Sequence, residues 1–155
     1  MQKLILVVCG FAGLAFWAGF AASAEDLEAA VKERRALMKD TVAPAAKLGG
    51  QMVKGVVAFD SAKASKAMTD INGVPDKYVT LFPKGTEAGA IPDSEALPAI
   101  WEDFDAFKAL ATKLKEASAK AAAAAEEGKE TFAAAFGDMT KVCKECHESF
   151  REKTE

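Results

Sequence analysis

The chain has 155 residues, with 20 Lys and Arg against 23 Asp and Glu and a formal net charge of −3, a size that suits one domain and is short for two. This mild acidity, with no concentrated basic surface, excludes a nucleic-acid binder as the natural reading. Half of the residues are hydrophobic and 28% are charged, which fits a globular protein once the very apolar first two dozen residues are set aside.

Those residues, MQKLILVVCGFAGLAFWAGFAASA, carry Lys3, an uncharged run from Leu4 to Phe20 and the small-x-small triplet Ala22-Ser23-Ala24, the pattern of a secretory signal peptide. Cleavage after Ala24 is expected, leaving residues 25–155 as one exported domain with no membrane contact. An uncleaved anchor is the competing reading, although it wants roughly 20 apolar residues. Val8 is too bulky to precede a lipidated cysteine, so Cys9 is expected to leave with the peptide. The mature chain then has 19 basic and 23 acidic side chains and two cysteines, Cys143 and Cys146. Their spacing along a helix is poor for an ordinary structural disulfide.

From Glu25 onward the pattern is helical, and the class is all-α. Leu27, Val31, Met38, Val42, Ala45 and Met52 fall on one face of a first helix, which Pro44 is expected to kink and Gly49-Gly50 or Gly55 to end. A second helix is predicted from Asp60 or Ser61 to the Asn72-Gly73 stop, followed by a short turn at DKYVTLF. Residues 83–97 read as the longest loop. Pro98 opens a third helix with one stripe from Trp101 through Phe104, Phe107, Leu110, Leu114 and Ala117 to Ala121, closed by Gly128. The alanine run 121–125 reads as good helix former allowing close helix approach. The fourth helix is predicted over 129–153, with Phe132, Phe136, Met139, Cys143, Cys146, His147 and Phe150 at spacings of three and four. Four such helices with one long link suggest an antiparallel four-helix bundle.

The ending holds the chemistry. Cys143-Lys144-Glu145-Cys146-His147 is the c-type haem attachment pattern, and it contains the one histidine of the chain. On a helix the two cysteines lie about 60° apart around the axis and His147 about 40° from Cys143, so the three side chains share a face. Two thiols can then add to the vinyl groups on one edge of the porphyrin while the imidazole reaches the iron. A thioredoxin-like dithiol would want its CxxC at a helix N-terminus in a βαβ setting. A zinc site would want further N or S ligands.

With R-x-x-x-M-K at Arg34 to Lys39, FPKGTEAG in the loop, PAIWEDFDAFKALATKL in the third helix and CKECHESFR at the end, the mature chain resembles the class II cytochromes c, the cytochrome c-prime group and its low-spin relatives. The resemblance implies a four-helix bundle carrying one haem c near the C terminus, with Cys143 and Cys146 as thioether attachments and His147 as the proximal ligand. Arg151 matches the basic residue flanking the proximal pocket. Phe150 departs from the tyrosine that many members have, and Arg35 stands where many have Gln.

Function then turns on the other face of the iron. Met38 lies on the inward stripe, and the matching family position either ligates iron or covers it; core filling is the plainer role of such a methionine. Arg34 sits one turn away, and its charge calls for a haem propionate or for a route to water. A low-spin His147/Met38 iron would suit electron transfer with redox partner proteins in the periplasm. A five-coordinate high-spin iron would bind small gases such as nitric oxide or carbon monoxide. The first is the expected function and the second its alternative, with no catalytic acid or base in either: Glu145 and Glu148 are expected on a solvated face, and the protein is not expected to be an enzyme. The family also allows a homodimer through the first two helices.

Overall fold

The computed structural model describes residues 23–153; residues 1–22, which hold nearly all of the expected signal peptide, lie outside the described residues. The architecture is built on four long helical runs. The first is a rod made of α1 (Ala24–Ala36), a π-helical turn (Leu37–Val42) and α2 (Ala43–Val53). α3 (Ser61–Asn72), α6 (Phe104–Glu127) and α7 (Lys129–Phe150) complete the bundle, while α4 (Pro75–Tyr78) and α5 (Ala99–Glu102) are single turns flanking the long loop. No helix among the described residues is long and apolar enough to cross a membrane.

The expected kink at Pro44 takes a particular form. Proline has no N–H to give and its ring crowds the carbonyl four residues back. The helix absorbs this by widening just before it, where the Ala43 N–H bonds the Met38 carbonyl, five residues away, and the rod continues with helical dihedrals at both junctions. Gly49 and Gly50 do not end the rod. Gly49 permits a close approach instead, since a Cβ there would lie 2.6 Å from Phe136 Cε2 and 3.3 Å from Met68 Cε.

α3 matches its predicted bounds, with Asp60 as N-cap accepting from the Lys63 N–H at 2.9 Å. The third helix is corrected: it breaks at Asp103 (φ −137°, ψ 73°), whose Oδ1 accepts the Ala106 N–H at 2.9 Å and so starts α6 as a new helix. Trp101 therefore leaves the long stripe, and its Nε1 donates to the Phe82 carbonyl at 3.0 Å. α7 stops at Phe150, short of the predicted end, because Arg151 turns extended and pairs with the loop. The Leu97 N–H bonds Phe150 O (3.0 Å), and the Glu152 N–H bonds Glu95 O (2.8 Å).

Two apolar clusters form the core. One joins Met52, Met68, Ile71, Ala121, Ala125, Phe132, Phe136 and Met139. The other joins Phe82, Ile100, Phe107, Leu110 and Phe150, with Phe107 edge-on to both Phe82 (4.7 Å) and Phe150 (5.4 Å). Fully buried side chains of this size each contribute about 1.5–3 kcal/mol by leaving water. The alanines let α6 pack closely, as expected, with Ala121 and Ala125 sealed inside.

The long loop is held from within by Arg34, which is only 4% exposed. Its guanidinium donates to Leu81 O (3.2 Å), Thr86 Oγ1 (2.9 Å), Thr86 O (2.6 Å) and Ser94 Oγ (2.7 Å) and lies 4.4 Å from the Phe82 ring centroid. Thr86 Oγ1 passes its own proton to Pro83 O, and Ser94 Oγ passes its proton to Thr86 O. The cation expected to reach for a propionate or for water is thus buried and satisfied by neutral loop acceptors.

Two stability predictions follow from this packing. Gly49→Ala forces its methyl against Phe136 and should cost about 1–3 kcal/mol, read as a lower thermal midpoint. Arg34→Met leaves Thr86 and Ser94 without their donor, and at roughly 1.5–3 kcal/mol per lost charged bond it should lower the denaturant midpoint and open residues 83–97 to proteolysis.

Candidate functional site

A cleft of about 470 Å³ opens where the two apolar clusters meet, within the roughly 300–1,000 Å³ usual for cofactor pockets. One wall is α7, which presents Cys143, Cys146 and His147. The facing wall is the rod, which presents Met38, Val42, Ala43 and Ala46. Tyr78, Phe82, Ile100, Phe107 and Phe150 close the inner end, and Arg35, Lys39, Asp93, Glu95 and Arg151 stand at the mouth. All seven residues singled out in the sequence line this one cleft, although Arg34 is committed to the loop.

The inward stripe of α7 divides along its length. Phe132, Phe136, Met139 and Phe150 are buried in the core, whereas Cys143 and Cys146 are half-buried and His147 is exposed. The lower stripe packs against helices, and the upper stripe packs against the cleft. Glu145 and Glu148 are exposed, as expected.

The electrostatics follow from this half-burial. Burial pushes the Cys146 thiol up to about 11, with Cys143 and Glu145 adding to the effect, and burial raises the Cys143 thiol as well. Neither thiol is the low-pKa thiolate of a dithiol oxidoreductase. Burial, followed by the nearby Arg151, lowers the pKa of His147, which keeps a neutral imidazole able to ligate metal. No group of three or more His, Cys, Asp or Glu converges on a metal position among the described residues.

At the mouth, Glu95 lies between two arginines, 3.7 Å from Arg35 Nη1 and 3.9 Å from Arg151 Nε. Arg35 also donates to the Asp93 carbonyl. Sequence reasoning missed Glu95 and Tyr78. Glu95 falls in a stretch without periodicity, and only the pairing of residues 95–97 with the chain end brings it here. Tyr78 did carry a signal, as the one tyrosine of the chain in a short turn between two break points.

The donor set fits a haem c. Two thiols and an imidazole share one wall of a slot that is apolar inside and charged at its mouth, which suits a flat apolar ring with a carboxylate edge. Haem supplies an iron centre that cycles between ferrous and ferric states and can accept an exogenous ligand.

Comparison with known proteins agrees with this donor set. The family model described as Cytochrome C' matches residues 29–151. Cytochrome c-554 of Cereibacter sphaeroides is 37% identical over 134 residues, covering 86% of this chain and 87% of the relative. Cytochrome c' of Rhodopseudomonas palustris is 33% identical over 153 residues, 99% of each chain. A solved nitric oxide complex of a mutant cytochrome c prime from Alcaligenes xylosoxidans superposes with a TM-score of 0.71 at 30% identity, covering 82% of this chain and 97% of that one. With its four-helix bundle and with Cys143, Cys146 and His147 along one wall of the cleft, the chain belongs to the cytochrome c' family of haem c proteins.

Proposed function

We propose that this protein is a periplasmic haem c protein that binds small uncharged gases such as nitric oxide, with Met38 covering the iron rather than ligating it. Cys143 and Cys146 would tether the ring as thioethers, and His147, on the same wall of the cleft, would ligate the iron. Arg35 and Arg151 offset the carboxylates at the mouth. The rod wall opposite His147 is made of Met38, Val42, Ala43 and Ala46, a surface with no side-chain hydrogen-bond donor that would favour an anion or water over a neutral gas. The observation that carries the reading is this apolar wall in a fold whose solved relative holds nitric oxide.

The low-spin carrier expected from the sequence, with Met38 as the sixth ligand and a redox partner protein docking nearby, is the second reading. Its support is that Met38 lines the cleft from the wall facing His147. On either reading the chain carries electrons or ligands and catalyses no bond-making of its own.

Optical spectra separate the two. The purified exported protein should keep its haem after denaturation, and Cys143→Ser combined with Cys146→Ser should lose it. The wild type should be high spin and its ferrous form should take up carbon monoxide rapidly. Met38→Ala should leave the spin state unchanged and speed uptake by about tenfold, equal to removing about 1.4 kcal/mol of steric barrier. A low-spin wild type that turns high spin in Met38→Ala would establish methionine ligation instead.

A further inference from the structure

The π-helical turn at Leu37–Val42 is the irregular segment of the rod, and its cause lies outside the cleft. Ala43 closes the turn by donating its N–H to the Met38 carbonyl, five residues back where an α-helix takes four. The six residues LMKDTV contain no glycine, so among the usual causes of a helix distortion the proline that follows is the one present. Pro44 has no N–H for the Asp40 carbonyl, and its ring crowds that oxygen. Ala43, immediately before it, is held at φ −65° and ψ −44°, the helical region that a following proline disfavours. The strain sits where the turn closes.

Pro44 and Met38 face different spaces. Met38 lines the cleft opposite Cys143, Cys146 and His147, and Pro44 is no part of that lining. Pro44 is exposed and borders a separate groove between the rod and α3, with Asp40, Thr41, Leu48 and Lys63. Its influence on Met38 therefore runs through the backbone. The rod is pinned on both sides of the turn: α1 by buried Val31 and by the four bonds of Arg34, α2 by Gly49 against Phe136 and by fully buried Met52. The extra width is thus confined to the stretch that carries Met38. Each α-helical residue turns about 100° and rises about 1.5 Å, so closing the turn would swing Met38 around the axis by up to about one such step.

We propose that Pro44 is a positioning residue for the iron site: by forcing the π turn it aims Met38 into the cleft from the wall facing His147, at a cost in helix stability that a regular rod would not carry. The proposal rests on the haem-site reading above, and it holds whether Met38 covers the iron or ligates it.

The test uses the holoprotein. Pro44→Ala supplies the missing N–H with the best helix former, and its thermal midpoint should be no lower than that of the wild type. In the ferrous carbon monoxide adduct, through-hydrogen-bond NMR couplings should join the Ala43 amide to the Met38 carbonyl in the wild type and to the Lys39 carbonyl in the variant. Carbon monoxide uptake should quicken by about tenfold, as in Met38→Ala, the equivalent of about 1.4 kcal/mol of steric barrier. Pro44→Ala combined with Met38→Ala should be no faster than Met38→Ala alone. Additive effects in the combined variant would overturn the proposal, as would unchanged uptake or a retained Ala43–Met38 coupling in Pro44→Ala. A lower thermal midpoint would do the same, because the proline would then serve the fold. A low-spin wild type would overturn the gas-binding reading and leave this one standing only if Pro44→Ala turns the iron high spin; a variant that stays low spin ends it. A wild type without covalent haem would overturn the site reading itself, before any variant is made.

Discussion

The buried guanidinium of Arg34 is the constraint on which the rest depends. Removing a cation from water costs several kcal/mol even after relaxation, so the group is stable only where a fixed set of acceptors surrounds it. Residues 81–94 supply that set, with two carbonyls, two hydroxyls and the face of Phe82. A stretch without apolar periodicity is thereby locked to the first helix. Phe82 is carried to the inner end of the cleft, and Asp93 and Glu95 are carried to its mouth.

The cleft itself is a consequence of having two cores rather than one. Phe132, Phe136 and Met139 pull the lower part of α7 against the rod and α3, where Gly49 lets the backbone come close. Phe150 pulls the upper part toward Phe107 and Phe82. Between these anchors α7 presents Cys143, Cys146 and His147 to the cleft, with Cys146 also resting on the second cluster. The rod meets this gap at its widened turn, and Met38 stands there. The extra width that Pro44 demands falls where the rod lines the cleft, in keeping with the frequent occurrence of π turns at functional sites.

Much of this was legible in the residues. The helical class, the bounds of α3, the shared face of Cys143, Cys146 and His147, and the inward position of Met38 all follow from a 3.6-residue period and from cap chemistry. What was misread depended on partners distant in sequence. Asp103 resembles any acidic residue in EDFD until its dihedrals show that it caps α6. Arg34 was assigned an anion or a route to water because a charge on an apolar stripe normally has one or the other; neutral carbonyls and hydroxyls more than 45 residues away leave no local trace. Glu95 and Tyr78 reach the cleft by the same kind of long-range placement.

By itself the sequence determined the helices, the tether and the family, because each of these is written in short-range spacing: the period of a helix, the two-residue gap of CxxCH, the cap and breaker residues between elements. Tertiary structure alone decided which way the loop runs, which charges reach the mouth and which polar group stands at the floor. Those depend on satisfying a buried cation and on closing two separate apolar clusters, and both conditions are met by residues that only the folded chain brings together.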